Sequence, residues 1–151
     1  MPQSAQMAYF AVRAFNVEVA SIKEGSERRR LSQGSDSGSS VALRMRMQWW
    51  RDALNEIYPK EGVDDSPPSG NGFGATAVSC WNNPVVRALH YAVEEKQLTR
   101  RFLERMLDAR EADLDIHQLA TMDDAIYYAE DSCSNLLYLS FECAGVRQKG
   151  H

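Results

Sequence analysis

Apolar residues in the segment 41–58 recur at steps of three and four, which is the spacing of one face of an α-helix. Because an α-helix completes a turn in about 3.6 residues, side chains at this spacing point in one direction and can be buried together. Pro59 follows directly and predicts that the helix ends there. The predicted buried face consists of Leu43, Met47, Trp50, Leu54 and Ile57.

The N-terminal segment, about residues 4–24, has apolar residues on two faces of a predicted helix. A helix that is apolar on more than one face is generally buried among neighbouring helices. One stripe consists of Met7, Phe10, Ala14 and Val17, and the other of Val12, Phe15, Val19 and Ile22.

Residues typical of helix ends indicate three further helices. Asn83 is a favourable N-cap residue, and Pro84 suits the first helical position that follows it. A fourth helix is predicted from about Thr99. The fifth begins near Thr121, which has the spacing of a capping box to Asp124.

The fifth helix is predicted to end at Gly145, because glycine is the usual residue just after a helix. Its predicted inner stripe is made mostly of small residues, which allow close helix approach or leave room for a cavity. The stripe consists of Ala125, Ala129, Cys133, Leu136 and Ser140.

No segment shows the two-residue alternation of a β-strand, so the predicted fold is all-α with about five helices. Two segments rich in serine, glycine or proline are predicted to be long flexible loops, at about 25–40 and 59–83. We expect a single helical domain over residues 1–151.

Composition narrows the class of protein. Of the 151 residues, 44% are hydrophobic and 25% are charged, as in globular proteins, and the net charge of −4 argues against a nucleic-acid partner. No apolar run is long enough for a membrane span, and neither a secretory signal nor an organellar transit peptide is expected in this chain.

The residues alone do not indicate a reaction. The three cysteines form no CxxC pair, and the three histidines have no partner at ligand spacing. The acidic cluster of Glu111, Asp113 and Asp115 is interpreted as a solvated helix end. Asp123 and Asp124 are explained by the favourable position of negative charge in the first turn of a helix.

Four segments follow one another in a distinctive order: YFAVRAFNVEVA, LRMRMQWWRDALNEIY, NPVVRALHYAVEEKQLTRRFLERMLDAREADLD and MDDAIYYAEDSCSNLLYLSFECAGV. Together they resemble the squalene/phytoene synthase family of head-to-head prenyl synthases. The resemblance covers nearly all of the chain outside the two predicted loops. It implies that the chain forms the N-terminal part of an isoprenoid-synthase-like helical bundle.

Catalytic members of that family carry an Asp-rich motif, DxxxD, on the helix that matches residues 4–24. Carboxylates at i and i+4 project from one face and help to hold the Mg²⁺ ions that assist departure of the diphosphate. Here the resemblance places Asn16 and Ala20 at those positions. Glu18 points about 200° around the helix from Asn16 and cannot complete the pair. The expectation is a degenerate motif with no catalytic residue, metal or cofactor.

The resemblance is closest to a non-catalytic mitochondrial branch that serves in the assembly of respiratory complex I (NADH:ubiquinone oxidoreductase). It implies an assembly factor without enzyme activity, on the matrix side of the inner membrane and peripherally associated with it. Its implied partners are complex I subunits or other assembly factors.

Two alternatives remain open at this point. One is a Mg²⁺-dependent prenyl-diphosphate synthase with improvised ligands at Glu18, Glu24, Asp113 and Asp115. The other is a protein that binds an isoprenoid without reacting it. The family's second Asp-rich motif falls beyond residue 151, so we expect a truncated chain, with unpartnered apolar surface on the first and fifth helices.

Overall fold

The structure is a computed structural model and describes residues 2–33, 39–58, 80–114 and 120–146. Within these ranges the chain is helical and contains no strand, which confirms the all-α prediction. The helices are α1 (Gln3–Gln33), α2 (Ser39–Ile57), α3 (Pro84–Lys96), α4 (Arg100–Asp113), α5 (Met122–Ala129), a π-helical segment (Glu130–Ser134) and α6 (Asn135–Cys143). Because α5, the π-helical segment and α6 follow one another without a break, the described chain forms five helical rods.

The core is built around α1, which packs against α2, α3, α4 and α6. The second predicted stripe of α1 is buried, whereas most of the first stripe is not: the exposed fraction is 57% for Met7, 63% for Phe10 and 57% for Val17. One side of the central helix therefore contributes to the core and the other presents apolar side chains at the surface. The largest fully buried side chains are Phe15, Met47, Leu54, Leu89, Leu103, Leu107 and Leu139.

The predicted face of α2 is confirmed. Met47, Trp50, Leu54 and Ile57 are buried, and Leu43 is partly buried against them. No helix in the described ranges combines the length and the apolar composition that crossing a membrane requires.

The first predicted loop, 25–40, is wrong for most of its length, because α1 continues to Gln33 and α2 already begins at Ser39. The continuation contains three arginines, one glutamate, one leucine and one glutamine, which have high helix propensity and outweigh the cost of about 1 kcal/mol for one glycine in a helix. Residues 34–38 lie outside the described residues.

The second predicted loop, 59–83, lies outside the described residues for positions 59–79. Positions 80–83 form a turn in which Asn83 N donates to Cys80 O at 3.0 Å. The Asn83 side chain then accepts hydrogen bonds from the backbone N–H groups of Val85 (2.8 Å) and Val86 (3.4 Å), which confirms it as the N-cap of α3.

The ends of the fifth rod also agree with the prediction. Thr121 and Asp124 form a reciprocal capping box, with bonds of 3.0 and 3.1 Å. After α6, Gly145 has φ +85°. Its N–H donates to Glu142 O, and the next N–H donates to Phe141 O. This pair of bonds is the Schellman motif, which places a residue in the left-handed region and so favours glycine.

The predicted inner stripe of the fifth rod is wrong. Ala129 and Cys133 are exposed, and Ala125, Leu136 and Ser140 are only half-buried. The buried positions from residue 132 onward recur at steps of three and four but lie one residue before the predicted ones, so the prediction chose a neighbouring face of the helix. The residues of this rod that are buried are Ser132, Asn135, Leu139 and Cys143.

Two side chains in or next to the π-helical segment donate hydrogen bonds to backbone carbonyl groups. The Ser132 hydroxyl donates to Tyr128 O at 2.6 Å, and the Asn135 amide donates to Asp131 O at 2.5 Å. Both bonds satisfy backbone carbonyls where the regular helical ladder changes its spacing. The polar residues buried in this rod thus have a structural reason.

Candidate functional site

Asn16, Glu18 and Ala20, which the sequence analysis singled out through the family resemblance, lie on α1. Asn16 and Ala20 are half-buried and share one side of the helix, because they are four residues apart. Glu18 is exposed on a different side and lines a cleft between α1 and α2. The three residues therefore do not face a common point.

The alternative metal ligands are not brought together either. Glu24 is exposed, and the Asp113 carboxylate forms an ion pair with Lys23, with 3.1 Å between Nζ and Oδ2. Asp115 lies outside the described residues. In the part of the chain that the structure describes, no three His, Cys, Asp or Glu side chains are placed to hold a metal ion.

The sequence predicted a solvated acidic end of α4, but Asp113 and Glu111 are both paired with cations there. Lys23 Nζ also donates to the backbone oxygen of Asp113 at 2.8 Å. Arg51 of α2 is hydrogen bonded to Glu111, and its Nη2 lies 2.7 Å from Oδ1 of Asp108. Burial opposes the charged form of Arg51, but these two carboxylates raise its pKa above the ordinary value. Two cations thus tie α1 and α2 to the end of α4.

A second set of polar contacts joins α4 to the fifth rod. Arg110 Nη1 donates to the Tyr128 hydroxyl at 2.6 Å, with its guanidinium 5.7 Å from the centre of the same ring. Arg105 pairs with Asp131 at 3.1 Å. Burial raises the pKa of Tyr128. These contacts hold the π-helical segment against α4, and Tyr128 acts in them as a structural anchor.

The end of α2 is fixed in a similar way. The Tyr58 hydroxyl donates to Leu98 O at 2.8 Å, and Arg100 donates to Asn55 Oδ1 at 2.6 Å and to Tyr58 O at 3.3 Å. Thr99, which precedes α4, donates from its backbone N–H and its hydroxyl to the Glu142 carboxylate. Polar side chains at the ends of the helices therefore serve mainly to connect them.

Two of the three thiols, and the one histidine that the structure describes, are poorly placed for chemistry. Cys80 and Cys143 are buried. Burial raises the pKa of Cys143 to about 11, which keeps its thiol protonated and a weak nucleophile. His90 packs edge-on against Trp81, with ring centres 5.0 Å apart, and Nε2 lies 3.4 Å from Glu94. His117 and His151 lie outside the described residues.

The cleft between α1 and α2 has a volume of about 410 Å³. Its described lining consists of Glu18, Met45, Arg46, Trp49, Trp50 and Asn83. Most of these residues cannot be recognised as a group from helical spacing, which indicates only the face of α2 that contains Met47 and Trp50. The sequence feature that could have indicated the cleft is the pair Met45 and Trp49, two large side chains four residues apart beside that face.

Comparisons with known proteins agree with this architecture. Among curated proteins, the chain is similar to "NADH dehydrogenase (ubiquinone) complex I, assembly factor 6" of Bos taurus (33% identical over 147 residues) and of Mus musculus (34% over 146 residues). It is also similar to the "assembly factor 6 homolog" of Dictyostelium discoideum (29% over 146 residues).

Each of these matches covers 97% of this chain but only 33–35% of the relative, so the chain spans about a third of the length of the curated relatives it matches. No solved structure matches. The profile of the family described as "Squalene/phytoene synthase" matches residues 1–151, which is the whole chain. On that match and its all-helical fold, the chain belongs to the squalene/phytoene synthase family.

Proposed function

We propose that this chain is a non-catalytic assembly factor for mitochondrial respiratory complex I and acts through contacts with other proteins. The observation that carries the proposal is the similarity, over 97% of the chain, to proteins named complex I assembly factor 6 in mammals and in Dictyostelium. The implied partners are complex I subunits or other assembly factors, and the implied location is the matrix side of the mitochondrial inner membrane.

The absence of catalysis is supported by the chemistry of α1. Asn16 and Ala20 occupy positions where the enzymes of this family carry carboxylates. An amide is a weak neutral ligand for Mg²⁺ and a methyl group is none. Since Glu18 lies on another side of the helix, it does not replace either carboxylate.

The alternative function of isoprenoid binding is not supported by the burial of the fifth rod. It rested on a stripe of small residues facing inward from the fifth rod. Two members of that stripe, Ala129 and Cys133, are exposed, so among the described residues the stripe does not line an internal cavity.

Affinity purification from mitochondria tests the proposal. The tagged chain, directed to the matrix, is expressed in mouse or human cells, and co-purified proteins are quantified against a tagged matrix protein of similar size. We expect enrichment of complex I subunits or of their assembly intermediates. If the chain accumulates in mitochondria and enriches no complex I component, the proposal is wrong.

Calorimetry tests the non-catalytic part separately. Titration of Mg²⁺ into the wild type and into Glu18→Ala is expected to give no saturable heat in either protein. Saturable binding that disappears in Glu18→Ala would contradict the proposal, because it would show that Glu18 serves as a metal ligand despite its position.

A further inference from the structure

The cleft between α1 and α2 has a rigid aromatic floor. Trp50 is 4% exposed and packs edge-on against Phe15, with ring centres 5.3 Å apart. Trp49 in turn packs edge-on against Trp50 at 4.9 Å and remains half-buried, so part of its indole faces the cleft. Because these rings are fixed by the core, the floor keeps its shape when the cleft is empty.

The walls of the cleft are exposed and rich in residues typical of protein interfaces. Met45 is 67% exposed and lies one turn before Trp49 on α2, beside Arg46. Tryptophan, methionine and arginine are enriched where proteins bind each other, and tryptophan and arginine are common among the residues that contribute most affinity. A flexible methionine also adapts to the shape of an inserted side chain.

The cleft carries one charge of each sign. Glu18 on the α1 wall and Arg46 on the α2 wall are both exposed. Within the described residues neither forms an ion pair or a hydrogen bond, whereas Arg51 on the same helix is held by Asp108 and Glu111. The two charges of the cleft are therefore available to a partner that brings the opposite charges.

We propose that the α1–α2 cleft docks a segment of a client protein that carries one large apolar side chain between an acidic and a basic residue. The apolar side chain inserts against Met45 and Trp49, the acidic residue pairs with Arg46, and the basic residue pairs with Glu18. This inference rests on the proposed function, since it names the chemistry of the partner. A volume of about 410 Å³ accommodates one or two large side chains rather than a whole helix.

Two peptide sets serve as probes. One set is overlapping peptides that cover the complex I subunits, and the other is a phage-displayed library of random peptides. Both are selected against the wild-type chain, and the affinities of the selected peptides are then measured for Arg46→Glu, Glu18→Arg and the double variant. Arg101→Glu and Glu24→Arg are the matched controls, since both positions are exposed and lie outside the described cleft lining.

We expect selected peptides to share an apolar residue flanked by opposite charges. Each single charge reversal is expected to weaken their binding about tenfold, and the double variant to prefer peptides in which the two flanking charges are exchanged. The control variants are expected to bind like the wild type, and circular dichroism establishes that every variant is folded.

The outcomes separate this inference from the proposed function. If random peptides with this pattern bind and complex I peptides do not, the proposed docking site is supported and the proposal of a complex I subunit as the client is wrong. If complex I peptides bind equally well to the wild type and to Arg46→Glu, the client stands and the docking site is wrong. If neither set yields a peptide that binds, the inference is overturned.

Discussion

The guanidinium of Arg51 on α2 is hydrogen bonded to the carboxylate of Glu111 in the last turn of α4. Both side chains are about 30% exposed, and the same guanidinium also pairs with Asp108. The two residues are 60 positions apart in the chain, so the contact is a tertiary connection rather than a feature of one helix surface.

Replacing Arg51 with methionine is expected to lower the free energy of unfolding by about 1–2 kcal/mol. The substitution keeps an unbranched apolar stem but leaves Glu111 partly buried without its cation. Urea denaturation measures the change. Arg101→Met, at an exposed position of α4, is the control and is expected to change the free energy by less than about 0.5 kcal/mol. Equal effects of the two substitutions would show that the Arg51 contact contributes nothing specific.

Deleting the exposed Cys133 is expected to be tolerated. The π-helical segment holds one residue more than an α-helix of the same span, so the deletion converts it to a regular α-helix and preserves the directions of α5 and α6. Deleting the exposed Leu137 within α6 is the control. It turns all following residues by about 100° and moves Leu139 and Cys143 out of the core.

Thermal unfolding followed by circular dichroism distinguishes the two deletions. We expect the protein lacking Cys133 to unfold cooperatively within a few degrees of the wild type, and the protein lacking Leu137 to lose its cooperative transition. If both deletions abolish folding, the π-helical segment is a required geometry and not a tolerated insertion.

Apolar residues on the outer side of α1 are expected to cause self-association. Met7, Phe10 and Val17 are each more than half exposed on one side of the helix. Contiguous apolar surface of this kind promotes association in water. Changing the three residues to Gln, Ser and Thr is expected to increase the monomeric fraction in light scattering without lowering the melting temperature. A fall in melting temperature would show that this side contributes to the core.

Because the thiol of Cys143 is buried, we expect the free energy of unfolding to fall in alkali. Its pKa is raised from 9.0 to about 11, first by burial and then by the charge of Glu142. Below pH 9 the thiol is protonated in both states and has no effect. As the pH rises from 9 to 11 only the unfolded form ionises, so the free energy of unfolding falls, by up to about 2 kcal/mol.

Denaturant titrations between pH 8 and pH 11 compare the wild type with Cys143→Ala. The substitution itself shifts the whole curve, so the slope against pH is the quantity to compare. We expect a steeper decline in the wild type than in the variant above pH 9. Parallel curves would contradict the predicted ionisation.

Much of the fold could be predicted because its signals are local. The buried face of α2 follows from helical spacing, and the caps at Asn83, Thr121 and Gly145 follow from residue types that satisfy helix ends. These features depend on residues close together in the chain. The degenerate motif on α1 stays a prediction, because its positions rest on the family resemblance.

Tertiary features were harder to predict. Arg51 looks like an ordinary surface arginine, because its partner Glu111 is 60 residues away in sequence. The outer stripe of α1 has the same apolar character as the inner one, and only the positions of the neighbouring helices distinguish them. The π-helical segment at residues 130–134 has no recognisable sequence pattern of its own.

The most direct test of the central claim is whether the chain supports complex I assembly. The chain, directed to the matrix, is expressed in human or mouse cells that lack their own assembly factor 6, and mature complex I is quantified on native gels. The account predicts more mature complex I than in cells with an empty vector. Complex I that stays at the vector level while the chain accumulates in mitochondria would contradict it.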